Sequence, residues 1–257
     1  MRRRLAHTLI AAILAMTMLS PSTARPAAAV SVGAVIAVVQ QLYSIYKTYK
    51  AGTGLTLDQA TAQILTAINN SQAAIISQID QVAAAQVKAC AQAAVIDFAD
   101  IELFSSDTLQ AFARDATNCV TLANSLLTTL SDPAAIDQLG FAVNEVGPLA
   151  LIARTRAGLT TGALTTVLID SNHDAQTALT PTCLTRLQGV GPGGPLPGNT
   201  YTAWAQCTVY NGDTGTRANV IRWPPTSNPF DVTGAFNDSV AKISWPATVA
   251  ALASLQP

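Results

Sequence analysis

Few residues in this chain are equipped to do chemistry. Past an expected N-terminal leader one histidine remains, His173, so a Ser-His-Asp or Cys-His mechanism would have to run through it. It lies in Asp170-Ser171-Asn172-His173-Asp174, which reads as the solvated end of a helix. The same run spells D-x-N-x-D, the opening of a calcium loop. The sixth and twelfth positions are Ala175 and Pro181, where that loop needs Gly and Glu, so no calcium is expected. No G-x-S-x-G elbow occurs. Cys90, Cys119, Cys183 and Cys207 contain no C-x-x-C pair, which argues for disulfides and against zinc. No metal and no cofactor is expected.

Two further runs invite a catalytic reading and fail it. Asp213-Thr214-Gly215 matches the triplet of aspartic proteases, but it follows Asn211-Gly212 and has no second copy, so a hairpin turn is expected. The Gly/Pro run over 189–198 cannot cradle phosphate, because its prolines remove amide donors and no Lys-Ser/Thr follows. A carboxylate pair of the glycosidase kind is spatial rather than sequential. Asp97, Asp100 and Glu102 are the densest acids, with Asp97 expected on a solvated helix face. The remaining candidates are aromatic. Tyr201, Trp204, Tyr210, Trp223 and Trp245 gather near the C-terminus, either as a platform for a ligand such as a sugar ring or as the core of a small β-rich lobe.

The cysteines constrain the elements that carry these groups. The midpoint between Cys90 and Cys119 falls at Phe104-Ser105, a turn between two helical stretches. Residues equidistant from the bend of an antiparallel hairpin lie level, so these two should pair. Cys183 and Cys207 are centred on Pro195 in the Gly/Pro run, which gives the second expected pair.

Apolar spacings of three and four predict a first helix over 30–50, with its first half buried on every side. Ile68, Ile75, Val82, Ala89 and Ile96 recur every seven residues and predict one long amphipathic helix from Asp58 to Leu103, its weakest point at Asn69-Asn70-Ser71. Asp107 with Gln110 marks a third helix. Asp132-Pro133 starts a fourth, stopped at Gly147-Pro148, and a fifth runs over 149–169. Tyr201 to Tyr210 alternates as a strand, and after the turn a second strand returns to Trp223.

Arg2-Arg3-Arg4, an apolar stretch over 9–19 too short to span a bilayer, and Ala27-Ala28-Ala29 read as a signal peptide cut after Ala29, giving a secreted protein. The cut takes Arg2, Arg3, Arg4 and Arg25 and no acid, which leaves 10 basic and 15 acidic side chains, a net charge of −5. That balance argues against nucleic acid and offers no basic cluster to an anionic membrane.

The expected fold is mainly α: a signal peptide over 1–29, an antiparallel helical bundle over 30–181, and over 182–257 a small disulfide-tied C-terminal lobe with a β-hairpin, packed on the bundle. The expected function is a non-enzymatic extracellular binding or interaction protein with an unknown ligand or protein partner. The alternatives are a membrane-active, pore-forming-like helical protein, which the low charge and long helix suggest but the locked Cys90–Cys119 hairpin disfavours, and a secreted hydrolase with a carboxylate-based site.

Overall fold

The computed structural model describes residues 31–189, 200–222 and 225–256. The expected leader, most of the Gly/Pro run and Trp223 lie outside the described residues. Six helices come first: α1 Val32–Lys50, α2 Leu57–Ile79, α3 Ala85–Phe98, α4 Ser106–Leu127, α5 Pro133–Arg156 and α6 Gly162–Leu179. Three strands follow, β1 Thr182–Gln188, β2 Thr200–Thr208 and β3 Thr214–Arg222, and then α7 Val232–Val240 and α8 Trp245–Leu255. The fold is mainly α, with a small disulfide-tied antiparallel sheet near the C-terminus.

Helix α5 is the axis of the molecule. It packs against α1, α2, α3, α4, α6 and α8, and every residue from Leu139 to Ala153 is buried. Asp132 caps it, its carboxylate accepting from the Ala134 and Ala135 amides, and Pro133 takes the first turn, where no amide is needed. The expected stop at Gly147-Pro148 does not occur, and the helix runs through to Arg156. An interior proline costs about 3 kcal/mol in a free helix. Burying Leu149, Leu151 and Ile152 against the surrounding helices returns about 1.5–3 kcal/mol each, so packing wins. Gly147 is required for a different reason: a Cβ there would lie 2.7 Å from the Tyr43 hydroxyl and 2.8 Å from a Leu168 methyl. The break falls later, where Gly158 adopts φ 71°.

The seven-residue stripe is real but spans two helices. The chain breaks over Asp80–Ala84, whereas Asn69-Asn70-Ser71 stays inside α2. The break is held by one tertiary bond, the Ala83 amide donating to Gln138 Oε1 at 3.0 Å, and by one local bond, Lys88 Nζ donating to the Asp80 carbonyl at 2.9 Å. A single turn of 3-10 helix, Ile101–Leu103, then reverses the chain into α4, which places Cys90 level with Cys119 in the expected disulfide. In α1 the core takes one face only, since Gly33, Ala34 and Ala37 are exposed.

Helix α8 returns to the bundle and packs on α1, α5 and α6, so residues 245–255 belong with the helices rather than with the lobe. What projects is the sheet with α7. β2 lies between β1 and β3, both antiparallel to it. Val209, Val240 and Ile243 join the bundle's core and anchor the lobe.

Candidate functional site

The sheet has one face partly covered by α7 and one open face. Pleating sends successive side chains to opposite sides, and directly paired residues share a side. Cys183 pairs with Cys207 in register and their sulfurs are joined on the covered side, where Ala203, Ala205 and Cys207 are buried. α7 lies beneath. It comes so close to β3 that a Cβ at Gly215 would collide with the Ala235 carbonyl oxygen. Arg217 fastens the helix, with Nη2 at 2.8 Å from Asp238 Oδ1 and Nε at 3.8 Å from Asp231 Oδ2. The apolar core of this layer is minimal: Ala205, Cys207 and Ala235, edged by Phe230, Val232 and Phe236.

The opposite face carries Leu184, Arg186, Trp204, Gln206, Thr216 and Val220. Leu184 is 70% exposed and Val220 72% exposed. Trp204 faces Arg186 across the β1–β2 ladder, and the guanidinium stands over the indole ring at 5.6 Å from its centroid. The Trp204 indole N–H is shielded and has no acceptor. Leu184, Thr185, Arg186, Trp204, Gln206 and Thr216 line a depression of about 470 Å³. The pleat sets Arg222 on the same side, paired with Thr200 at the far corner. Two cations and no carboxylate therefore decorate the paired residues of this face.

The five aromatic candidates do not share a surface. Trp204 alone of the four described ones lies on the open face. Tyr201 falls on the other side of the pleat. Tyr210 leaves the strand and docks the lobe, its hydroxyl donating to Asp137 Oδ2 on α5 at 2.9 Å. Trp245 begins α8 and meets Phe236 edge-on, with centroids 5.0 Å apart. Trp223 lies outside the described residues.

His173 is not at a helix end but inside α6, where its Nε2 lies 3.0 Å from Gln256 Nε2. Its neighbours Ser171 and Asn172 are buried: Ser171 Oγ donates to Asn124 Oδ1 at 2.8 Å, and Asn172 Oδ1 accepts from Asn144 Nδ2 at 2.8 Å. The whole D-x-N-x-D run is thus helical and cannot wrap an ion as a calcium loop does. Of the densest acids, Glu102 is engaged by Arg156 at 3.2 Å. Asp97 joins Asp115 in lining a cleft of about 370 Å³ beside the Cys90–Cys119 disulfide.

Helix α5 also carries carboxyls that the sequence pattern did not single out. Asp137 accepts from the Ser244 amide at 2.6 Å as well as from Tyr210, and burial raises its pKa against those two bonds. Glu145 is fully enclosed with neither carboxylate oxygen bonded, and burial pushes its pKa well above the usual carboxylate range. Burial, then the Asp137 charge, raises the Tyr210 phenol. Asp137 thus ties α5 to Tyr210 and to the start of α8, whereas Glu145 makes no such tie.

Among the described residues no three His, Cys, Asp or Glu side chains group as metal ligands. No described helix is long and apolar enough to cross a membrane. No protein family model matches the chain, and neither a curated protein nor a solved structure does.

Proposed function

We propose that this chain is a non-enzymatic extracellular binding protein, in which the helical bundle is a scaffold and the open face of the C-terminal sheet is the contact surface. The observation that carries this is the asymmetry of the sheet. One side is covered by α7 and a disulfide around Ala205 and Cys207, while the other leaves Leu184 and Val220 largely exposed around the Arg186–Trp204 pair. An exposed apolar and aromatic patch gathered on one sheet face suits an interaction site. Export is part of the proposal. It is supported by the Arg-rich leader pattern and by two disulfides, which persist in oxidising compartments.

The test is binding of the oxidised protein to an immobilised panel of polysaccharides, proteins and lipid vesicles, beside Trp204→Ala and Leu184→Ser. The proposal expects a panel member retained by the wild type and lost by both variants, with helical content unchanged. Retention by both variants would end it.

A membrane-active role is the second reading, supported by one observation: α5 is buried on all sides, as a helix would be that later exchanges protein for lipid. Dye release from neutral and anionic liposomes, before and after reduction, separates the two. Release that rises on reduction favours this reading, and none in either state leaves the binding proposal.

A further inference from the structure

Taking the open face as the contact surface, we propose that its ligand is a linear polysaccharide bearing carboxylate groups at intervals, as in a uronic acid polymer. The inference rests on that functional reading and names the ligand's chemistry.

Charge comes first. The described part of the chain carries 10 basic and 15 acidic side chains, yet the open face holds Arg186 and Arg222 with no acid among its paired residues. Arg217, on the covered side, is neutralised by Asp231 and Asp238. The two open-face arginines have no carboxylate partner among the described residues. An arginine presents a planar fork that matches a carboxylate in two parallel hydrogen bonds. The cation–π contact with Trp204 restrains the Arg186 guanidinium, so less side-chain freedom is lost on binding.

Spacing comes second. Arg186 lies level with Trp204, and Arg222 level with Thr200, two strands away. Strand rise and strand spacing put their backbones about 16 Å apart. That is roughly twice the ~8 Å over which charges act at physiological salt. The two cations are separate anchors, suited to charges spread along a chain rather than crowded. A dense polyanion gains only two contacts here and meets the repulsion of described residues that carry 10 basic against 15 acidic side chains.

The ground between the anchors comes third. Trp204 and Val220 offer apolar area, and Thr200 and Thr202 offer donors and acceptors. This mixture suits a sugar ring, which is apolar on its faces and hydroxylated at its rim. An acidic peptide would instead add along the edge of β1, where main-chain groups are free, and would not need the face.

The experiment is affinity electrophoresis of the oxidised full chain through gels containing alginate, hyaluronan, heparin or dextran, with poly(dT) as a nucleic-acid control. The proposal expects retardation by alginate and hyaluronan, weaker retardation by heparin and poly(dT), and none by dextran. It expects at least a fivefold loss of apparent affinity in Arg186→Gln and in Trp204→Ala, while Trp204→Phe, which keeps an aromatic ring, retains most of it. Retardation by dextran alone, lost in Trp204→Ala, overturns the carboxylate requirement and leaves the face as the contact surface. Stronger retardation by heparin or poly(dT) overturns the spacing argument. Absence of retardation by every polymer overturns the polysaccharide, and the panel result then decides the functional reading separately. Uronate binding that ignores both Arg186→Gln and Trp204→Ala overturns the inference and the site together.

Discussion

The Cys183–Cys207 bridge should be the main support of the sheet and almost irrelevant to the bundle. The lobe's own core is three small buried side chains, Ala205, Cys207 and Ala235, too few to hold a layer by burial alone. The bridge closes a loop of 24 residues in separation, and in the chain-entropy model it stabilises by about 3.5 kcal/mol. Replacing both cysteines by alanine removes that constraint at little cost in volume. If the lobe opens as its own unit, the loss falls on β1, β2 and β3, and 3.5 kcal/mol is roughly a 300-fold rise in the opened fraction. Hydrogen exchange with mass spectrometry reads this directly. Amides of β2 should exchange about two orders of magnitude faster in the double variant, while the centre of α5, around Leu149 and Leu151, should not change. The reasoning is refuted if β2 exchange stays within threefold of the wild type, or if α5 loosens by the same factor.

Glu145→Met should stabilise the protein. It removes a carboxyl whose two oxygens have no partner in a fully buried site, and each orphaned buried group costs about 1–3 kcal/mol. The folded pKa lies above the unfolded one, so the wild type is at full strength below the ordinary carboxylate pKa and weakens as pH rises toward the folded value. The gain in denaturation midpoint should therefore be smallest at pH 4 and grow toward pH 8. Tyr210→Phe removes the bond to Asp137, at a cost of about 1.5 kcal/mol. Asp137 is also raised in the folded state, and losing the phenol raises it further, so this variant should lose more at pH 7 than at pH 4 in urea unfolding.

Much of the architecture is legible in the residues because local chemistry and tertiary structure agree there. Cys90 and Cys119 are level because the turn at Phe104-Ser105 bisects them. The Asn211-Gly212 turn and the Ala203, Ala205, Cys207 alternation place β2 and β3. The errors sit where packing overrides local preference. Pro148 stays helical because six helices enclose it. Asp80–Ala84 breaks a periodic stripe where Gln138 of α5 reaches in to take the Ala83 amide. Asp170 to Asp174 reads as a solvated end, yet Asn172 is buried to meet Asn144.

Half of the candidate site escapes the sequence because β1, Thr-Cys-Leu-Thr-Arg-Leu-Gln, has no alternation. It is an edge strand whose residues from Leu184 to Gln188 are exposed on both sides. One signal was present. A disulfide between residues 183 and 207 in an antiparallel pair puts 186 opposite 204 and 184 opposite 206, as the register has it. Trp204 could thus have been paired with Arg186 by counting. No comparable count reaches Tyr210 and Asp137, 73 residues apart.

The central claim, that the open sheet face makes the contact, is tested most directly by an amide-exchange footprint of the oxidised protein with and without a saturating panel member that it retains. The account predicts slowed exchange confined to β1, β2 and β3, with α1 to α6 unchanged. Protection centred on α3 and α4 around the Asp97–Asp115 cleft, with the sheet unaffected, would contradict it.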